Sequence, residues 1–221
     1  MNLLAIDTAT ERCSVALSHS GQLFERSAET PRAHADLILP MVAEVLKEAN
    51  VKLADLDGIA YGRGPGAFTG VRIAIGVAQG LAFGANLRTV GVSNLAAVAQ
   101  QMAAPGDEVL VCMDARMSEV YVGRFRLNPG EQWVEAVGDE AVRKPGDIEL
   151  LAATRLAGTG FSAYPNMVDP AVLLPIDGSA LPRAREILLL AEREFTEGRS
   201  LPAREASPVY LRDQVATVKG S

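Results

Sequence analysis

Histidine is almost absent from the sequence, which has only His19 and His34 among its 221 residues. Zinc and iron sites on helices are commonly built from two histidines about one helical turn apart, and these two residues cannot supply such a pair. Neither lies beside residues that mark a serine nucleophile. We therefore exclude a metal site on a helical histidine pair and interpret both histidines as surface residues.

Basic residues are fewer than acidic residues in this sequence. Lys and Arg number 21 against 27 Asp and Glu, which gives a formal net charge of -6. An acidic protein gains no favourable counterion release on nucleic acid unless its arginines cluster on one face. We expect any link to RNA to run through a partner protein.

No segment carries the marks of export or of membrane insertion. The opening residues MNLLAIDTATER lack a basic stretch ahead of a long apolar core. The longest uncharged runs, Ile73–Leu87 and Thr89–Gly106, are broken by polar residues, Gly or Pro and are too polar to span a bilayer. The two cysteines, Cys13 and Cys112, lie in apolar runs and are expected to be free thiols. We expect a cytoplasmic protein without membrane contact.

Predicted strands and helices alternate along the chain, which indicates α/β architecture with helix-covered sheets. The predicted strands are Leu3–Ile6, Cys13–Leu17, Leu23–Arg26, Gly58–Tyr61, Thr89–Val92, Val109–Met113, one starting at Val120, one around Trp133–Ala136, and Arg155–Ala157. The predicted helices are Pro31–Asn50, Thr69–Phe83, Asn94–Ala103, one near Asp147–Ala153, and one with Pro182 in its first turn and Gly198 just past its end.

The second half of the chain repeats the opening pattern. One apolar strand ends in Asp7 and another in Asp114, and a second strand begins six residues after each aspartate. The aspartates are 107 residues apart, so the repeat favours two domains of one kind. We place the boundary after residue 104, giving domains 1–104 and 105–221, with the last segment expected to pack back on the first domain. A chance likeness between two β-meanders is the alternative.

Asp7 and Thr8 are the first candidate site residues. A carboxylate at a strand end can hold Mg²⁺ or orient a water, and nearby Thr amides can bind phosphate. From local sequence alone, a cap on a tight turn is the favoured interpretation.

A glycine-rich loop, Gly62–Ala67, follows a predicted strand and leads into a helix. It fits the dinucleotide-binding pattern formally, but it does not follow the first strand, and no acidic residue occurs between Gly66 and Asp107 to bind a ribose. We interpret it as a turn whose glycines allow close backbone approach, with Thr69 as the helix cap.

Two helices carry more apolar or small residues than a single sheet needs to cover. Pro31–Asn50 has an apolar arc of roughly 200°. Its members are His34, Leu37, Ile38, Leu39, Met41, Val42, Val45, Leu46 and Ala49. Thr69–Phe83 and the residue after it carry two stripes of small residues, Gly76, Gly80 and Gly84 on one and Gly70, Ala74 and Ala78 on the other. Such stripes allow close helix packing, either on the protein's own sheet or on a second subunit.

Five segments together resemble the TsaB (YeaZ) family, in the same order and across the whole chain. They are LLAIDTATERCSVAL, AYGRGPGAFTGVRI, VGVSNL, MDARMSEVY and PVYLR. The resemblance implies the actin-like ATPase fold, with two ribonuclease-H-like halves. It also implies a shortened paralogue of TsaD, the catalytic threonylcarbamoyl transferase.

The comparison with TsaD implies that no catalytic or metal site remains. Asn94 and Val98 stand where the metal-binding histidines of TsaD belong, and valine cannot bind a metal. Ala9 stands where the superfamily prefers glycine beside a phosphate. Asp7, Thr8 and Asp114 would then be a vestigial nucleotide site, and no cofactor is expected.

The resemblance also implies a scaffold that pairs with TsaD and acts with the ATPase TsaE. Threonylcarbamoyl would pass from its adenylate to N6 of the adenosine beside the tRNA anticodon, with tRNA reached only through the complex. The interface, shared with a homodimer, would use the first two helices. Its expected residues are Leu37, Ile38, Met41, Val45, Gly70, Ala74, Gly76, Ala78 and Gly80.

Two enzyme functions stand as alternatives. One is a nucleotide-dependent phosphotransferase of the actin-like fold that uses Asp7 and Asp114, against which Ala9 counts. The other is a glycoprotease, against which the missing histidines count strongly.

Overall fold

Two six-stranded mixed sheets organise the fold in a computed structural model that describes residues 1–30, 33–150 and 153–212. The first sheet has five strands from the first half of the chain and one from near its end, and the second sheet lies wholly in the second half. The strands are β1 Leu3–Asp7, β2 Arg12–His19, β3 Gln22–Glu29, β4 Gly58–Gly62, β5 Arg88–Val92, β6 Glu108–Asp114, β7 Val120–Arg126, β8 Glu135–Ala136, β9 Ala141–Arg143, β10 Arg155–Ala157, β11 Ile176–Asp177 and β12 Leu201–Pro202. The helices are α1 His34–Glu48, α2 Phe68–Ala85, α3 Asn94–Met102, α4 Gly160–Ala163 and α5 Ala184–Thr196.

The central strand of the first sheet, β1, is buried along its whole length. It pairs antiparallel with β2 and parallel with β4, in the sheet order β12-β5-β4-β1-β2-β3. Leu4 and Ile6 join the cluster under α1 and α2, whereas Leu3 and Ala5 join the cluster under α3 and α5. Because helices cover both faces, the strand reads as a continuous apolar run rather than an alternating one.

The second sheet repeats this arrangement around β6. That strand pairs antiparallel with β7 and parallel with β10, as β1 pairs with β2 and β4. Asp7 and Asp114 therefore end equivalent central strands. The α/β class and the mixed, helix-covered sheets agree with the prediction from sequence.

The end of the chain packs on the first sheet. Helix α5 contacts β1, β2, β4 and β5, and Ser14 Oγ accepts a hydrogen bond from the Ala184 amide at 2.9 Å. β12 extends the first sheet at its edge beside β5. Farther on, Gln79 Nε2 donates to the Ala206 carbonyl at 2.9 Å, and the Val209 amide donates to the Arg63 carbonyl at 2.9 Å. The closing segment thus ties together elements of the first half.

The helix predicted near Asp147–Ala153 is wrong for the described part of that range. A 3-10 turn covers Pro145–Asp147, and irregular chain follows to residue 150; residues 151–152 lie outside the described residues. Ile148 and Leu150, two positions apart, both pack on the cluster around Leu110. This spacing suits extended chain, because alternate side chains of extended backbone share a face.

The other predicted helices are found with shifted ends. The helix predicted from Pro31 starts at His34, with residues 31–32 outside the described part. The helix predicted from Pro182 to just before Gly198 spans Ala184–Thr196.

Candidate functional site

Asp7 is fully buried at the carboxyl end of β1. Its Oδ1 accepts a hydrogen bond from Asn94 Nδ2 at 2.6 Å, and its Oδ2 is buried without a partner among the described residues. Burial raises the pKa of Asp7 from 3.8 to about 7, although the Asn94 hydrogen bond opposes the change. A carboxyl in this state is a poor ligand for a divalent cation, which needs an ionised, accessible oxygen.

The glycine loop closes directly over this carboxyl. Gly64 N donates to Asn94 Oδ1 at 2.8 Å, and Asn94 N donates to the Gly64 carbonyl at 3.0 Å. A Cβ atom on Gly62 would lie 2.0 Å from Asp7 Oδ1, so only glycine fits there. The predicted close backbone approach is confirmed at this position.

The backbone after β1 is occupied by the same loop and by α2. The Ala9 carbonyl accepts from the Ala67 amide at 2.7 Å, and a Cβ on Gly66 would lie 2.4 Å from that carbonyl oxygen. Thr8 is fully buried, and its Oγ1 donates to the Gly70 carbonyl at 2.7 Å. The hydroxyl and the turn that could hold a phosphate are thus engaged within the protein.

The predicted cap at Thr69 is wrong. Helix α2 begins at Phe68, and its N-cap is Ala67, whose side chain forms no capping bond. The Ala67 amide instead donates to Ala9, and this contact with the strand end fixes where the helix begins.

Asp114 has different surroundings at the equivalent strand end. Its Oδ1 accepts from the Arg116 amide at 2.9 Å and from the Tyr164 hydroxyl at 3.2 Å, and Arg116 Nη1 lies 3.0 Å from Oδ2. The turn that follows is left-handed at three successive non-glycine residues, Arg116, Met117 and Ser118. The Asp114 carboxylate thus holds the turn that follows it through the Arg116 amide and the Arg116 guanidinium.

The part of the chain that the structure describes contains no group of three or more His, Cys, Asp or Glu residues that could hold a metal ion. The Asn94 side chain donates a hydrogen bond to Asp7, and Val98 is fully buried in the apolar core. His19 and His34 are partly buried and lie on different elements.

The two small-residue stripes on α2 face opposite ways. Gly70, Ala74 and Ala78 are buried against the sheet, and a Cβ on Gly70 would lie 2.1 Å from the Thr8 carbonyl oxygen. Gly76, Gly80 and Gly84 are exposed, and an added Cβ would meet nothing within 4 Å. The second stripe is therefore the one available to another chain.

The predicted residues on α1 divide in the same way. Ile38, Met41 and Val45 are buried in the chain's own core, and Leu37 is only partly buried. In this structure a partner could contact Leu37 on α1 but not the three buried residues.

Two exposed residues were missing from the expected interface. Leu39 is 50% exposed on α1, and Phe83 is 82% exposed on α2. Phe83 follows Gly76 by seven positions and Gly80 by three, so helical spacing places it on the same stripe and could have identified it. Leu39, Gly76, Gly80, Phe83 and Gly84 are called the outer helix face below.

Helix α2 also has the length and apolar composition of a membrane span. This is weak evidence, because core helices of soluble proteins share both properties, and the stripe through Ala74 and Ala78 packs on the chain's own sheet.

Comparison with known proteins gives consistent matches. The family model "TsaD: tRNA N6-adenosine threonylcarbamoyltransferase" matches residues 28–174. The "tRNA threonylcarbamoyladenosine biosynthesis protein TsaB" of Escherichia coli (strain K12) is 42% identical over 227 residues, covering 99% of this chain and 98% of that protein. The protein of the same name from Haemophilus influenzae is 38% identical, covering 99% and 97%. The solved structure "YeaZ from Pseudomonas aeruginosa" has a TM-score of 0.87 and 42% identity, covering 95% of this chain and 99% of that one.

Proposed function

The chain belongs to the TsaB family, and from this premise we propose that it is the non-catalytic scaffold subunit of the complex that transfers threonylcarbamoyl to N6 of the tRNA adenosine beside the anticodon. Its relatives are named for tRNA threonylcarbamoyladenosine biosynthesis, which supports a role in that pathway. In the proposal the chain pairs with TsaD, acts with TsaE in the cytoplasm and reaches tRNA only through the complex.

The outer helix face is the observation that carries the proposal. Phe83 on α2 is 82% exposed and Leu39 on α1 is 50% exposed, and the exposed glycines of α2 leave its backbone open. Exposed apolar surface of this kind usually marks a protein interface. We propose that TsaD and a second copy of the chain compete for it.

The surroundings of Asp7 support a non-catalytic role. Its carboxyl is fully buried, bound to Asn94 and covered by the glycine loop, and the loop also occupies the backbone at Ala9. Phosphotransferase activity through Asp7 and Asp114 gains no support from these contacts.

Reconstitution with purified TsaD, TsaE, threonylcarbamoyl-adenylate and tRNA tests the proposal. We expect no modified adenosine from the chain alone, and product from TsaD that depends on adding the chain. An Asp7→Asn variant should support the reaction as well as the parent does. Product from the chain without TsaD would show that the chain itself is catalytic. Loss of product with a folded Asp7→Asn variant would contradict the expectation that the Asp7 carboxylate is dispensable for the reaction.

A further inference from the structure

A cavity of about 220 Å³ lies between the two halves of the chain, away from the outer helix face. It opens where the end of β5 and the start of α3 meet β7, α5 and the segment between β8 and β9. Its size is below the range of about 300–1,000 Å³ typical of sites for drug-sized ligands, so an occupant must be small.

Arg63 supplies a positive charge on the lining of this cavity. Its Nε is buried without a hydrogen-bond partner, and no carboxylate of the described residues lies within ion-pairing distance of its guanidinium. The backbone holds the residue in place, because the Arg63 amide donates to the Val92 carbonyl and the Arg63 carbonyl accepts from the Val209 amide, each at 2.9 Å. A buried, unpaired guanidinium nitrogen is costly, so a missing acceptor is indicated.

Glu140 supplies a carboxylate on the same cavity. Its Oε1 accepts a hydrogen bond from the Ser93 hydroxyl, and Ser93 Oγ in turn accepts from the amides of Leu95 at 3.1 Å and Ala96 at 3.2 Å. Burial raises the pKa of Glu140, and the positive charge of Arg63 acts to lower it. The two charges therefore influence each other while remaining too far apart to form an ion pair.

Neighbouring charges exclude a simple anion or cation as the best occupant. Glu194 also lines the cavity and pairs with Arg199 at 2.6 Å, and Arg193 pairs with Glu135 at 2.8 Å. A lone anion at Arg63 would be repelled by Glu140, and a lone cation at Glu140 would be repelled by Arg63. A molecule that carries both charges suits both groups.

The remaining wall of the cavity is apolar and rigid. Trp133 Nε1 donates to the Leu189 carbonyl at 2.9 Å, which fixes the indole, and Phe125 and Leu190 are buried beside it. This wall offers contact to a short aliphatic side chain.

We propose that the cavity binds a free α-amino acid, with its carboxylate on Arg63, its ammonium group on Glu140 and its side chain against Trp133. A guanidinium that holds a carboxylate through paired N–H groups is among the strongest polar contacts in proteins. At about 30 Å³ per water, the cavity has room for roughly seven waters, which suits a small amino acid and little more. The proposal is independent of the scaffold role.

Isothermal titration of the intact chain with the common amino acids one at a time tests this site. We expect at least one to bind with a dissociation constant of about 10 mM or tighter. Its amide, which lacks the carboxylate charge, and its N-acetyl derivative, which lacks the ammonium charge, should each bind about tenfold more weakly or not at all. These titrations use the parent protein, so their outcome does not depend on whether a variant folds.

Variants then assign the site. Arg63→Met and Glu140→Gln should each weaken binding by about tenfold or more, whereas Arg204→Met, which changes a side chain that is 81% exposed and outside the cavity, should bind as the parent does. If no amino acid binds the parent, the cavity holds water and the proposal fails. It fails equally if binding survives unchanged in folded Glu140→Gln and Arg63→Met.

Discussion

Asn94 Nδ2 donates to Asp7 Oδ1 over 2.6 Å, and both side chains are fully buried between β1 and α3. The family resemblance places Asn94 at the position of a metal-binding histidine in TsaD. Here the amide bonds to the strand-end carboxyl and to the glycine loop, since its Oδ1 accepts from the Gly64 amide. The pair thus joins three segments of the first half, which gives Asp7 a structural role that depends on its protonation.

The first prediction concerns the pH dependence of stability. The pKa of Asp7 is about 7 in the folded protein against a usual 3.8, so between these values the folded state keeps a proton that the unfolded state releases. The free energy of unfolding should therefore fall as pH rises from about 4 to 7. At 1.36 kcal/mol per pKa unit, the loss is roughly 4 kcal/mol at most. Urea denaturation of the parent and of the Asp7→Asn variant at several pH values measures the contribution of Asp7 to this pH dependence.

The Asp7→Asn variant should lack this contribution. Its free energy of unfolding should therefore fall less between pH 4 and pH 7 than that of the parent. Asp139→Asn, which changes an exposed aspartate, is the matched control and should follow the parent curve. Parallel curves for the parent and Asp7→Asn between pH 4 and 8 would contradict the prediction.

A second prediction separates two kinds of glycine. Gly62→Ala puts a methyl group 2.0 Å from Asp7 Oδ1 and should destabilise the fold by about 1–3 kcal/mol or more, as overpacking does. Gly76→Ala adds a methyl group in open space on α2 and should stabilise by about 0.5–1 kcal/mol. Chemical denaturation at one protein concentration measures both. If the two substitutions have equal effects on stability, the contact with Asp7 does not exclude a side chain at position 62.

The third prediction concerns metal content. Asn94 is engaged by Asp7 and Gly64, and Val98 is buried in the apolar core, so neither position offers a metal ligand. Protein purified without an affinity tag should contain no stoichiometric zinc or iron by elemental analysis. About one transition metal per chain, retained after dialysis against a weak chelator, would contradict this expectation.

Much of the fold could be predicted because the relevant signals are local. β1 appears as an apolar run closed by Asp7, and β6 appears as the same run closed by Asp114. A few consecutive residues are enough to identify a strand end of this kind. Its recurrence in the second half of the chain indicates two similar sheets. The turn between β2 and β3 is local as well, because Ser20 and Gly21 both have the positive φ that a two-residue hairpin needs.

The remaining features depend on contacts between distant residues. Both stripes of α2 consist of small residues, and the one that packs inward is set by Gly70 against Thr8, 62 positions earlier. Likewise, the cavity at Arg63 depends on Glu140 reaching Ser93, 47 positions away. No local pattern records either contact, so sequence alone left the stripe orientation open and the cavity unseen.

The last prediction tests the outer helix face. Gly76→Leu places a large side chain where an added Cβ meets nothing within 4 Å, so the chain should fold normally. In a close helix–helix contact the same side chain would overfill the groove, and pairing with TsaD and with itself should weaken by at least about tenfold. Ala74→Trp, by contrast, alters a fully buried position and should disrupt the fold itself. Size-exclusion chromatography with light scattering and a TsaD pull-down measure pairing, and circular dichroism measures folding.

Gly146→Leu is the matched control, because Gly146 is also exposed with open space around its Cβ but lies in the second half of the chain. It should leave both folding and pairing unchanged. If folded Gly76→Leu protein still pairs with TsaD and with itself as the parent does, the interface lies on another surface. If Gly76→Leu weakens self-association alone, the two partners use different surfaces, and the proposed competition for the outer helix face is wrong.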